Sequence, residues 1–191
     1  MNGERALPLL MREGLRLVFI GNNPGLESAR RGHYYAFRGN VFWRQLAESG
    51  LVAPERMAAG ALSCEDDQRL MAEAGIGFTD LCTRASAGAA ELSASEQREG
   101  ALRLLAELTH FRPAVAVFNG WSVFRPFARH ALDLSASQLN KRAYGRQPET
   151  LAHPTALWVV PSSSGLASRW HGQRLELLRH LHNPSYLPSA W

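Results

Sequence analysis

Four short runs of this chain are apolar along most of their length: LRLVFIG (15–21), GIGFTDL (75–81), PAVAVFNG (113–120) and ALWVVPS (156–162). Each is too short for a buried helix and ends in glycine, proline or polar residues, which is the pattern of strands covered on both faces. The stretches between them carry helical periodicity. NVFWRQLAESG (40–50) sets Phe42, Trp43 and Leu46 on one stripe, with Asn40 as cap and Gly50 as stop. SASEQREGALRLLAELTHF (93–111) starts a helix at Ser93 or Ser95, WSVFRPFARHAL (121–132) contains Pro126 as a kink or early-turn residue, and GQRLELLRHLH (172–182) closes the series. Strands alternating with helices predict an α/β protein with a central, mostly parallel four-stranded sheet flanked by helices in three layers.

At 191 residues the chain has the length of one domain with a substantial core. The polar or Gly/Ala/Ser-rich stretches 85–93 and 135–149 read as loops rather than linkers, and no repeat interrupts the pattern. A single domain over 1–191 is expected, with its motifs between about 15 and 179. No apolar run approaches the ~20 residues a membrane helix needs, and MNGERALPLL lacks the basic flank and long apolar core of a signal peptide. We expect a cytoplasmic, monomeric protein with no membrane partner.

Cys64 and Cys82 are too few for a disulfide framework or a four-cysteine metal site, and the seven histidines show no HExxH spacing, so neither metal nor cofactor is expected. The net charge of +4 and pI near 9.6 are compatible with a polyanionic partner. Lys141 is the single lysine among 21 basic residues. Arginine's planar fork suits phosphate, although genomic nucleotide composition produces the same bias.

Ligands of an open parallel sheet sit beyond the carboxyl ends of its strands. GNNPG (21–25), TDL (79–81), FNG (118–120) and PSSSGLAS (161–168) all fall there. The first loop has neither the lysine of a phosphate loop nor the third glycine of a dinucleotide fingerprint, which argues against a nucleotide cofactor. SSSG is not the GxSxG elbow of an α/β-hydrolase. A serine hydrolase built from Ser164, His153 and Asp80 remains an alternative drawn from the same rim.

LRLVFIGNNPGLESARRGHYYAFRGNVFWRQLAESGL resembles the first motif of the mismatch-specific uracil-DNA and thymine-DNA glycosylases, within the uracil-DNA glycosylase superfamily. That motif is an apolar strand, Gly-x-Asn-Pro-Gly-Leu, Ser-Ala, a glycine with an aromatic, and Asn-x-Phe-Trp opening a helix. VVPSSSGLASRW stands where the family has a strand ending in proline and a loop containing Ser-Gly-Leu; Ser162 and Ser163 replace the family's Asn-Pro. HNPSYLPSAW also spells Asn-Pro-Ser, at 183–185, but no apolar strand precedes it, and we read it as surface.

The resemblance implies a DNA base-excision repair glycosylase. Its partner is double-stranded DNA containing uracil or a mispaired or damaged base, which it flips out and cuts at the N-glycosidic bond, leaving an abasic site. Asn23 matches the catalytic asparagine, whose carboxamide orients a water but cannot take its proton. Asn22, Gly25, Tyr35 and Ser164 fall to the substrate pocket, with Tyr35 as the stacking aromatic and Gly21 and Gly25 permitting the turn that Pro24 stiffens. Gly165 and Leu166 match the loop that enters the duplex, with Ser168 and Arg169 beside it, Arg169 holding either phosphate or the orphan base. A lyase step needs an amine, and Lys141 lies away from the motifs, so strand cleavage is not expected.

Asp80 is not a fixed feature of the family. It is either a capping aspartate in an ordinary turn or the general base that Asn23 cannot be. A second functional class stays open beside the enzyme: a nucleic-acid-binding module of the same fold with negligible catalysis.

Overall fold

A computed structural model describes residues 5–53 and 63–182. The apolar runs form β1 (Leu17–Gly21), β2 (Ile76–Asp80), β3 (Val115–Asn119) and β5 (Ala156–Val160), each buried at all five positions. A further strand, β4 (Gly145–Thr150), makes the sheet five-stranded in the order β2-β1-β3-β5-β4. β1 pairs in parallel with β2 and β3, and β3 with β5, while β4 runs antiparallel to β5 at the edge.

β4 corrects two expectations, the four-stranded sheet and the loop over 135–149. Its residues, GRQPET, alternate between buried and exposed and include Pro148, so no continuous apolar run marks it. That pattern belongs to an edge strand, where proline is tolerated because one side needs no donor. The same stretch also holds a short helix, α6 (Ala136–Leu139), capped by Ser135.

The helices are α1 (Leu26–Arg31), α2 (Phe42–Glu48), α3 (Cys64–Ala74), α4 (Ala94–Phe111), α5 (Trp121–Ala131) and α7 (His171–His182). α4 starts at Ser93, whose side chain accepts from the Glu96 N–H while Glu96 reaches back to the Ser93 N–H. The expected cap, Asn40, stands one residue ahead of the observed N-cap of α2, Val41, and Asn40 Oδ1 accepts from the Phe42 N–H at 3.0 Å.

Side chains alternate across the strands, so the sheet divides the core in two. Leu17, Phe19, Phe78, Val117 and Trp158 pack with Phe42, Leu46 and Leu178 on one face. Val18, Ile20, Phe118 and Val159 pack with Leu104, Phe124 and Phe127 on the other. The chain leaves β1 toward β2 on one side and returns to β3 on the other, so the strand order reverses between β1 and β3. An open α/β sheet forms its crevice at that point.

Among the described residues no helix is long and apolar enough to cross a membrane. Cys64 and Cys82 are free thiols, and burial pushes Cys82 up to about 11. Residues 183–185 lie outside the described residues.

Candidate active site

The carboxyl ends of β1, β2, β3 and β5 close one side of a pocket of about 460 Å³ at the reversal of strand order. Its walls include Asn22, Asn23, Tyr35, Asp80, Asn119 and Ser164. Leu166 stands at its lip, fully exposed. The expected pocket residues are therefore brought together. Ser168 and Arg169 lie outside it, on the flank of a neighbouring cleft that shares Ser122, Ser162, Leu166 and Ala167.

Asp80 is the last residue of β2 and pairs in register with Gly21, the last of β1. No described residue hydrogen-bonds its carboxylate, so it does not cap a turn. Arg103 Nη2 instead donates to its backbone carbonyl at 2.5 Å. Burial pushes the Asp80 carboxyl up to about 7, against the opposing pull of Arg103 and Arg5. Asp80 thus sits in the range where a carboxylate both accepts and returns a proton near neutral pH.

The Asn23 amide is oriented from behind. Its Nδ2 donates to Ser86 Oγ at 2.8 Å and to the carbonyls of Pro24 and Arg84, both at 3.1 Å. With the amino group committed to the loop, Oδ1 is the part of the side chain left to receive a water proton. Asn22 Oδ1 is a buried acceptor without a donor, while the Tyr35 hydroxyl is turned toward the Asn119 side chain. Orphaned polar groups of this kind carry a desolvation cost that a ligand's complementary edge removes.

Tyr35 occupies left-handed backbone at φ 54°. That conformation is costly for a residue with a Cβ and persists only where its surroundings impose it. The Tyr34 N–H donates to Asp67 Oδ2 at 2.9 Å, the Ala36 N–H to Ser28 Oγ at 3.0 Å, and Trp43 Nε1 to the Tyr34 carbonyl at 2.8 Å. Phe42 backs the Tyr35 ring, with centroids 3.9 Å apart and planes 15° from parallel. Burial and the nearby Asp80 charge raise the Tyr35 hydroxyl well above the usual range, so it stays protonated as a donor.

Sequence reasoning missed the clamp behind the second loop. Asn119 Nδ2 donates to Ser163 Oγ at 2.9 Å, and the Ser163 N–H returns a bond to Asn119 Oδ1 at 3.1 Å. Behind them Arg174 is fully buried, donating to Gln45 Oε1 at 3.0 Å and lying over the Phe42 ring. FNG at 118–120 already stood on the polar rim, but nothing local names its partner 44 residues on. The Val41 N–H donates to the Ser163 carbonyl at 3.0 Å, tying the loop after β5 to the start of α2.

One expectation and one alternative fail here. Gly25 has φ −68° and open space around its Cα, so the turn does not require glycine there. The serine-hydrolase alternative does not assemble: His153 Nδ1 bonds Thr155 Oγ1 at 2.9 Å ahead of β5, while Ser164 follows the opposite end of that strand. Among the described residues no cluster of His, Cys, Asp and Glu could hold a metal ion.

A three-layer α/β fold with a polar pocket at the reversal of strand order, backed by an imposed aromatic and fronted by an exposed leucine, is the class this molecule defines. The family model of the uracil DNA glycosylase superfamily matches residues 9–183, and the chain belongs to that superfamily. It is similar to a protein of Schizosaccharomyces pombe named G/U mismatch-specific uracil DNA glycosylase, with 29% identity over 179 residues, 93% of this chain and 52% of the relative. The chain thus spans about half the length of that curated relative.

Proposed function

We propose that this protein is a monofunctional DNA glycosylase of base-excision repair. It takes uracil, or a related damaged or mispaired pyrimidine, out of double-stranded DNA and hydrolyses the N-glycosidic bond, acting as a cytoplasmic monomer. The observation that carries this reading is the unpaired Asp80 carboxylate sharing a pocket with the oriented Asn23 amide and the orphaned Asn22 acceptor.

Tyr35 stacks on the base. Asn22 Oδ1 accepts from the imide N–H of a pyrimidine-dione edge, which satisfies that orphan. Ser164 and the backbone at Gly25 line the entry for sugar and phosphate. Asn23 Oδ1 and Asp80 hold the water. As the bond from the sugar carbon to the ring nitrogen breaks, its electron pair moves onto the pyrimidine carbonyl. The water oxygen bonds to the sugar carbon, Asp80 takes the water's proton, and the anionic base acquires a proton from solvent. Leu166 fills the space the base vacates, beside Gly165, with Ser168 and Arg169 toward the backbone.

The binding-module alternative is disfavoured by the same carboxylate, since a negative charge at the floor of a DNA-binding pocket weakens binding unless it serves chemistry. Base release from a uracil-containing duplex against an undamaged control tests the proposal. Retention of uracil over many hours at excess enzyme sinks it. No lyase step follows base release, because Lys141 lies exposed in the turn between α6 and β4. High-yield borohydride trapping of a protein–DNA adduct would contradict that part.

A further inference from the structure

A second cleft, of about 410 Å³, opens on the far side of the Leu166 lip. Three aromatic rings line it from three separate elements. Trp121 begins α5, Tyr144 precedes β4, and Trp170 ends the 3₁₀ turn Gly165–Trp170. The Trp121 and Tyr144 centroids are 5.8 Å apart and those of Tyr144 and Trp170 6.1 Å, at tilts of 42° and 57°. The rings do not seal one another off, and Trp170 keeps 39% of its surface exposed.

Two arginines accompany them. The Arg169 guanidinium lies 5.1 Å from the Trp170 ring centroid and that of Arg125 5.8 Å from Trp121. Both guanidiniums counter the rise that burial imposes on the Tyr144 hydroxyl, which places two positive charges around one cleft. A planar cation over Trp170 already rests where a planar base stacks. None of this serves the chemistry assigned to the first pocket.

We infer that this cleft is a stacking subsite for the nucleobase next to the lesion on the same DNA strand, with Arg125 and Arg169 on its phosphates. The inference rests on the proposed glycosylase reading for which nucleotide fills the first pocket. Aromatic rings interleaved with arginine are the general means of holding unpaired nucleic acid. The two cavities share a wall at Ser122, Ser162 and Ala167, so adjacent nucleotides of one strand reach both. The subsite therefore equips the protein to work on single-stranded or locally melted DNA.

The test uses the full chain and Trp170→Ala, with Trp170→Phe as rescue; the exposed ring makes the fold tolerant of both. Anisotropy with a labelled, undamaged (dT)10 strand reads the cleft without requiring catalysis. Loss of one stacking contact weakens its binding about 5- to 150-fold in Trp170→Ala, with most of the loss restored by Phe. On single-stranded uracil substrate the same variant raises KM and leaves kcat near the parent value. Unchanged (dT)10 binding overturns the inference. So does a loss confined to duplex substrate, which assigns the cleft to the opposite base. If base release is absent from every protein while (dT)10 binding still depends on Trp170, the glycosylase reading fails and the subsite stands.

Discussion

The Asp80 carboxylate lies against the backbone of Gly21. The two residues end adjacent parallel strands in register, and a Cβ built on Gly21 would collide with Asp80 Oδ1 and come within 3.4 Å of the Tyr35 hydroxyl. Glycine at this position is what lets a carboxylate and a phenol share the pocket floor. Gly21→Ala displaces the carboxylate, so single-turnover base release falls about 10²- to 10⁴-fold, the usual weight of a positioned general base, while duplex affinity stays near the parent. A parent-like rate in this variant removes the Asp80 position from the chemistry.

The raised Asp80 carboxyl sets a pH signature in both rate and stability. The base form is the anion, so base release rises with pH through about 7 and is level above it. For stability, the folded state holds the proton up to about 7 while the unfolded chain loses it near 3.8, so folding weakens as pH rises between those values. The slope is about 1.4 kcal/mol per pH unit. Asp80→Asn is consequently the more stable protein above neutrality and loses that advantage in acid. Thermal melts of both proteins from pH 4 to 8 check the sign, and parallel curves refute it.

β1, β2, β3 and β5 were legible because strands covered on both faces read as apolar runs, with polar residues only at the carboxyl ends of β2 and β3. β4 was not, since an edge strand alternates and tolerates Pro148. α3 also escaped notice: CEDDQRLMAEA has only Leu70 fully buried among its apolar residues, and its signal is the capping box at Ser63 and Asp66. In the site, Asn22, Asn23, Tyr35 and Ser164 could be read because they sit in local motifs. Arg174 could not. Its bond to Gln45 spans 129 residues, and nothing within α7 distinguishes a buried arginine from a solvated one.

Arg174 gives a prediction of its own. Its burial without a carboxylate partner lowers its guanidinium to about 10, and its contacts hold Gln45 and the ring of Phe42, which backs Tyr35. Arg174→Met removes a buried charge but leaves Gln45 Oε1 without its donor, a loss of ~1–3 kcal/mol in denaturant unfolding. With Tyr35 less firmly backed, KM for uracil DNA rises. A variant with parent stability and KM would show that Arg174 supports neither.

The exposed Leu166 separates duplex from single-strand behaviour. Leu166→Ala slows base release from a well-paired duplex and shortens retention on abasic product, because only a stacked duplex leaves a gap to fill. Single-stranded uracil substrate is cut at nearly the parent rate. Equal slowing on both substrates shows that the leucine acts in the pocket and not as a wedge.

Asn23 and Asp80 divide the handling of water, and a double-mutant cycle measures the division. A carboxamide orients water and a carboxylate both orients and deprotonates it, so Asp80→Asn loses ~10²–10⁴-fold in the single-turnover rate with folding and DNA affinity retained. Asn23→Ala loses less, because Asp80 still holds the water, though it also releases the Nδ2 bonds to Pro24, Arg84 and Ser86. If the two residues act on one water, the double variant is slowed by less than the product of the single effects. Independent, multiplicative losses place them on different steps. An unchanged rate in Asp80→Asn leaves the water to Asn23 alone.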